Sequence, residues 1–188
     1  MRKVIYGMFV SLDGFIEGPN RELDWQIVDE QLHRFANDLQ SETGTYLFGR
    51  RMYEVMAYWE TADQNLSSPE YVLEFARNYK RIPKIVFSRT LEQVQGNARL
   101  VRADLVEEIG KLKTQPGKNL EVGGADLAST LIKLGLIDEY HVFIHPVVLG
   151  SGTPFFPSLD KSINLRLVET RTFGSGVVYL RYKPDKEE

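Results

Sequence analysis

The 188-residue sequence predicts a single α/β domain in three layers: a mostly parallel mixed central sheet flanked by helices, with an antiparallel hairpin at its C-terminal end. Three observations predict it. Short runs of nearly continuous hydrophobicity have the pattern of strands covered on both faces. Apolar stripes at helical spacing alternate with those runs. Near the end the alternation stops, and two apolar runs flank a Gly174-Ser175-Gly176 turn with no helix between them.

The expected buried strands are residues 4–10, 46–48, 85–87, 120–122 and 142–144, and the hairpin strands are residues 165–171 and 177–182. The helical stripes are Leu32/Phe35/Ala36/Leu39, Met52/Val55/Met56/Trp59, Val72/Phe75/Ala76/Tyr79, Leu105/Ile109/Leu112 and Leu127/Leu131/Leu134. Their ends carry local signals: Ser68 then Pro69 starts the third, Asp104 with Glu107 starts the fourth, and Gly135 stops the fifth. The domain is expected to span residues 1–183, leaving 184–188 as a short charged tail.

Composition narrows the function. With 43% hydrophobic residues the chain can bury one substantial core. Its 23 basic and 26 acidic residues lack the basic excess of a phosphate-backbone binder, so no nucleic-acid partner is expected. Zero cysteines remove disulfides, thiolate nucleophiles and cysteine-rich zinc sites, and make the cytoplasm the expected location. The start, Met1-Arg2-Lys3 and an apolar run, imitates a signal peptide, but Asp13 ends that run early and no small-residue cleavage site follows. No window approaches the roughly 18 apolar residues of a membrane span, so no membrane partner is expected either.

Several potential sites fail on spacing. His141 and His145 sit on an expected strand, where four positions separate side chains by roughly 13 Å, so no metal is expected. Gly150-Ser151-Gly152 matches neither a nucleophile elbow nor a full dinucleotide fingerprint, since Phe155 takes the last glycine's place.

Three places remain where a strand runs out into a helix or loop, and all suit an anion. At Gly49-Arg50-Arg51, glycine lets the backbone approach a ligand and the arginines supply charge. At Gly123-Gly124-Ala125-Asp126, paired glycines separate a buried strand from the Leu127 stripe. At Ser88-Arg89, a hydroxyl and a guanidinium suit a monoester phosphate such as the adenosine 2′-phosphate of NADPH. Each also reads as an ordinary turn. All three lie at strand C-terminal ends, the edge where ligands bind in parallel α/β sheets. Ser11-Leu12-Asp13-Gly14 leaves the first strand at that edge too, with a plain Asp-Gly turn as its other reading. Trp25, Tyr53, Tyr58 and Trp59 read as core or cleft-wall packing rather than catalysts.

Together with Gly135-Leu136-Ile137-Asp138-Glu139 and Pro146-Val147-Val148-Leu149-Gly150-Ser151-Gly152, these segments resemble the reductase domain of the bifunctional riboflavin-biosynthesis deaminase-reductase, a branch of the dihydrofolate-reductase-like fold. The resemblance covers nearly the whole chain. It implies an NADPH-dependent oxidoreductase and a homodimer. It also implies that Gly49, Arg50 and Arg51 hold cofactor phosphates, Ser88 and Arg89 the adenosine end, and Gly123, Gly124, Ala125, Asp126 and Leu127 the pyrophosphate. By the same resemblance, the segment containing Val10, Ser11 and Ile16 lines the nicotinamide.

The chain departs from the relatives in two ways. It has no cysteine for a zinc deaminase, so it resembles the reduction half alone. Where dihydrofolate reductases carry a first-helix carboxylate, alignment puts Gln31, with Asp29 and Glu30 nearby as candidate proton donors. The expected reaction is hydride transfer to a small heterocyclic or ribosylamino substrate, as in a 5-amino-6-(5-phosphoribosylamino)uracil reductase. A pterin reductase of the dihydrofolate type and an NADP(H)-binding module without turnover are the alternatives.

Overall fold

The computed structural model describes residues 1–185, so 186–188 of the expected tail lie outside the described residues. In chain order the elements are β1 (Val4–Ser11), β2 (Phe15–Glu17), α1 (Glu30–Ser41), β3 (Thr43–Gly49), α2 (Arg50–Met56), α3 (Glu70–Arg81), β4 (Lys84–Phe87) and β5 (Ala98–Val101). They continue with α4 (Leu105–Thr114), β6 (Asn119–Gly123), α5 (Ala125–Lys133), β7 (Glu139–His145), β8 (Thr153–Pro154), β9 (Leu165–Thr172) and β10 (Val178–Pro184). Eight strands form one mixed sheet in the order β5-β4-β3-β6-β1-β7-β10-β9. Pairs β3–β4, β3–β6, β4–β5 and β1–β7 are parallel, while β10 runs antiparallel to both β7 and β9. The expected α/β class, mostly parallel sheet and C-terminal hairpin are all present.

The described residues fall into two compact units. The first comprises Met1–Val4 and Glu30–Gly124. Its aromatic core joins Tyr46, Phe48 and Tyr79, with Met52, Tyr53, Met56, Trp59, Phe75 and Ile82 packed against them. Helix α1 buries Leu32 and Phe35, as its stripe requires, but also Asn37 and Gln40. These amides are retained because they find partners: Asn37 donates to the Tyr71 carbonyl at 2.9 Å, and Gln40 to the Tyr46 hydroxyl at 3.2 Å.

The second unit comprises Ile5–Asp29 and the chain from Ala125 onward. Tyr6 stacks on Phe155 with ring centroids 4.3 Å apart, and Phe143 packs on Tyr179. The hairpin closes through Phe173 N–H to the Val177 carbonyl and Gly176 N–H to the Phe173 carbonyl, both at 2.9 Å. At the end of α5, Gly135 donates to Ile132 and Leu136 to Leu131, which satisfies the last helical carbonyls at the expected stop.

Some details differ from the sequence reading. The second helical stripe is not one α-helix: α2 ends at Met56 and 3-10 turns follow at Ala57–Glu60 and Ala62–Gln64. The tighter winding accompanies an ion pair from Glu60 to Lys84 at 2.9 Å. Ser68 is not the cap of α3, because Pro69 occupies the cap position and its carbonyl accepts from Leu73. Asp104 does cap α4, its carboxylate accepting the Glu107 amide at 3.0 Å. Strands β2, β5 and β8 lie outside the expected set. Each has four residues or fewer, too short for period-two alternation to show. Pro184, expected in the tail, instead pairs with Leu165 at the end of β10.

Lys84 deserves a physical account, since its ammonium is fully buried at the start of β4. It donates to the Tyr79 carbonyl at 2.6 Å, pairs with Glu60, and lies 4.0 Å from the centroid of the Tyr79 ring. Burial pulls its pKa down, and Glu60 opposes that pull. Lys84→Met leaves Glu60 and the Tyr79 carbonyl without their cation. Because Glu60 is partly exposed, the expected loss in urea unfolding is about 2–3 kcal/mol, below the usual range for a fully buried pair. A change under about 0.5 kcal/mol, the ordinary surface value, would show the pair to be structurally idle.

Candidate functional site

In the first unit, parallel register brings three of the expected anion sites to one sheet edge. Gly49 pairs with Phe87, and Phe48 with Gly123, so β3, β4 and β6 finish side by side. Gly49, Ser88 and Gly124 therefore leave the sheet together. Arg50 opens α2 and reaches sideways: its Nη1 donates to the Thr90 hydroxyl at 3.2 Å, while its Nε pairs with Glu54 at 2.8 Å. The Ser88 hydroxyl accepts the amides of Thr90 and Leu91 at 3.2 and 3.1 Å, fixing the turn that presents Arg89. Arg89 is exposed, and among the described residues its side chain has no ion pair. Arg51 is half-buried in the first turn of α2.

Sequence reasoning missed Arg102 at this edge. It follows β5, which pairs with β4, and donates to the Leu91 carbonyl. The signal was the β5 segment Ala98-Arg99-Leu100-Val101, short and interrupted by charge.

The glycines at this edge have different causes. A Cβ on Gly123 would lie 2.8 Å from the Phe48 ring and 2.9 Å from Met52, so internal packing requires glycine there. Gly124 has φ of 93°, a backbone conformation that suits glycine. Gly49 is unlike both. Its backbone is extended, a Cβ would meet nothing within 4 Å, and no side chain caps the helix it precedes. Nothing in the protein's own packing demands glycine at Gly49. An open approach to uncapped amides beside Arg50 fits a phosphate group.

In the second unit, β1 and β7 end in register, Ser11 beside His145. Ser11 is buried and its hydroxyl bonds Asp13 at 2.7 Å while accepting the Phe15 amide at 2.9 Å. Asp13 in turn accepts the amides of Leu149 and Gly150 at 3.1 and 2.7 Å, so the expected Asp-Gly turn doubles as a clamp on the 146–152 loop. These bonds hold its carboxyl below the usual range, the Ser11 bond most of all. Gly152 is required where that loop passes β2, because a Cβ would lie 2.0 Å from the Glu17 carbonyl oxygen. Val10 and Ile16 are buried, as is Leu127 in the first turn of α5, whereas Asp126 is exposed and Ala125 half-buried. Any ligand contact at the buried three is to backbone.

His145 is fully buried there, its Nδ1 at 3.1 Å from the Phe143 carbonyl and its Nε2 without a hydrogen-bond partner. Trp25 meets its ring edge-on at 5.4 Å, and Phe9 lies 4.8 Å away. Burial lowers its pKa, while the Phe143 and Ile27 backbones pull the other way. His141 bonds Glu139 at 3.3 Å, two residues back along β7. Of the two carboxylates at the start of α1, Asp29 accepts the Ser175 amide at 2.9 Å, and Glu30 pairs with Arg34 on the exposed face. Tyr53 accepts the Gln95 amide, Trp59 packs on Phe75, and Tyr58 is exposed.

A family model, the RibD C-terminal domain, matches residues 2–179. The chain belongs to this family. The uncharacterised protein YyaP of Bacillus subtilis (strain 168) is 39% identical over 96% of this chain and 94% of its own length. Among solved structures, a protein of Shewanella sp. PV-4 assigned provisionally to riboflavin biosynthesis matches with TM-score 0.75 and 23% identity, over 98% of this chain and 99% of that one. Dihydrofolate reductase from Enterococcus faecalis, complexed with NADP(H), matches with TM-score 0.65 and 16% identity, over 98% and 97%. The last two likenesses show the fold. Membership in the RibD C-terminal family makes this a chain of the riboflavin-type reductase family, with the dihydrofolate-reductase-like fold that the sequence resembled. No described helix is long and apolar enough to cross a membrane.

The Asp13 clamp yields a prediction for the loop. Asp13→Ala should speed hydrogen exchange of the Leu149 and Gly150 amides about tenfold or more while the β7 amides keep their protection. The native carboxylate has a depressed pKa when folded, so the clamp's contribution is complete above the ordinary carboxylate range. It is lost as pH falls through Asp13's own lower value. Uniform exchange across loop and strand in the variant would show that the clamp does not act locally.

Proposed function

We propose that this protein is an NADPH-dependent reductase of the riboflavin type, working on a small flat nitrogen heterocycle in the cytoplasm. The observation that carries the reading is Gly49: an open, uncapped strand-to-helix step with Arg50 and the Ser88–Arg89 turn beside it, in the RibD C-terminal family. The residues suit the cofactor. Gly49, Arg50 and Arg51 would hold its phosphates, Gly123 and Gly124 would allow the pyrophosphate to pass close to the backbone, and Ser88 and Arg89 would take the 2′-phosphate. Arg102 adds a further cation to that end. The backbone from Val10 to Ile16 would line the nicotinamide.

When bound, the dihydronicotinamide supplies a hydride to the carbon of a C=N or C=O bond, the nitrogen or oxygen gains a proton, and NADP+ is left. The protein's own part is to orient and to exclude water. The Asp13 clamp fixes the first-strand segment at one height, and Asp29 fixes the hairpin turn through Ser175. The proton comes from water or from Glu30 or Asp29. Glu30, exposed and beside Arg34, exchanges protons freely with solvent.

Two substitutions test the cofactor reading. Gly49→Ala meets no clash and needs no unusual backbone angle, so its unfolding temperature should stay within about 2 °C of wild type, the shift of a sub-kcal/mol change. Its NADPH affinity, measured by titration, should fall about tenfold or more because the methyl fills the approach to the amides. Arg89→Ala should weaken NADPH binding more than NADH binding, since only NADPH has the extra phosphate. Equal losses for both nucleotides would remove Ser88 and Arg89 as the phosphate site.

A further inference from the structure

The proposed function leaves open what kind of heterocycle is reduced. The second unit carries three observations that bear on it, and they rest on the reading above. The first is charge. Between Ser11 and Asp29 the sequence places Asp13, Glu17, Glu22, Asp24 and Asp29 against a single base, Arg21. Several of these carboxylates are held by neutral donors: Asp13 by two amides and Ser11, Glu22 by Asn20, Glu17 by the Thr153 hydroxyl, and Asp29 by the Ser175 amide. Asp13 and Glu22 are held below the usual carboxylate range, so both are anionic at neutral pH. This segment therefore presents negative charge where β1 ends.

The second observation is exposed apolar surface on the same segment. Leu12 is 65% exposed, Ile27 50% and Val28 44%, although their neighbours Ser11 and Val10 are buried. The third is His145. It is buried at the end of β7 against Trp25 and Phe9, with Nε2 unpartnered. An unmet ring nitrogen in an apolar, aromatic setting suits one hydrogen bond to a neutral ligand. With its pKa lowered by burial, His145 is uncharged at neutral pH and offers no cation to a phosphate.

We propose that the substrate is a flat nitrogen heterocycle without a phosphate group, seated against Leu12, Trp25, Ile27 and Val28 with one polar atom meeting His145 Nε2. A ribosyl phosphate would bring about two negative charges to an acidic segment, where like charges repel and steer the ligand away. The first unit's edge is the contrast: Arg50, Arg51, Arg89 and Arg102 leave the sheet there, so its phosphate-binding capacity serves the cofactor.

The test is calorimetric titration of the NADP+-saturated protein with a ribosylaminopyrimidine and with its 5′-phosphate. The unphosphorylated compound should bind about tenfold tighter or more, and Asp24→Lys, a change on an exposed side chain, should narrow that gap several-fold. Val28→Ser should weaken the unphosphorylated compound without changing NADPH affinity. Equal or tighter binding of the phosphate ester overturns the inference and leaves the cofactor reading intact. So does a protein that binds NADPH but neither pyrimidine, or a Val28→Ser variant that only changes association state, which would assign the apolar surface to a second copy. Failure to bind NADPH at all removes the proposed function and this inference with it.

Discussion

Parallel register is the constraint on which the rest depends. Because β3, β4 and β6 run the same way, with Phe48 opposite Gly123 and Gly49 opposite Phe87, their C-terminal ends stop together. Each end hands the chain to a helix or turn whose first amides have no partner within the sheet. A set of antiparallel strands would have scattered Gly49, Ser88 and Gly124 to opposite edges. In the second unit the same rule sets Ser11 beside His145, and the antiparallel β10 then brings its turn residue Ser175 back toward that end, where Asp29 receives it.

The two edges so formed differ in chemistry. One is rich in arginine, has a helix start left uncapped, and shows an open glycine that no neighbour explains. The other is acidic, apolar on its exposed side chains, and holds a buried histidine with one unused nitrogen. A reductase needs both kinds of surface: one to hold a polyanionic cofactor, and one to admit a neutral ring and keep water from it. Family membership supplies the reaction type, and the charge contrast supplies a division of labour that the family name alone does not.

Much of this was legible in the sequence, for reasons that can be named. Long signals survived: the apolar run of β1, the stripes of α1 and α5, and the Gly174-Ser175-Gly176 turn each repeat a pattern often enough to be read. Asp104 was legible as a cap because capping needs only a side chain and an amide three residues on. Short or tertiary features were not. Strand β5 is four residues long, so Arg102 went unseen, and the 3-10 winding after Met56 goes with a partner, Lys84, more than twenty residues away. The spacing of Gly123 and Gly49 gave both the same meaning. Only packing separates them, since Phe48 and Met52 crowd one and nothing crowds the other. His145 entered as a possible metal ligand and emerged as a buried polar group beside Trp25, a change that depends on the burial of β7.

The central claim is that the arginine-lined edge of the first unit receives a 2′-phosphorylated adenine nucleotide. Competition of 2′,5′-ADP and 5′-ADP against NADPH for the unmodified protein tests it most directly, because the two competitors differ only in that phosphate. The account predicts that 2′,5′-ADP competes about tenfold more strongly or better, with the advantage shrinking as salt rises. Equal competition by the two nucleotides would contradict it.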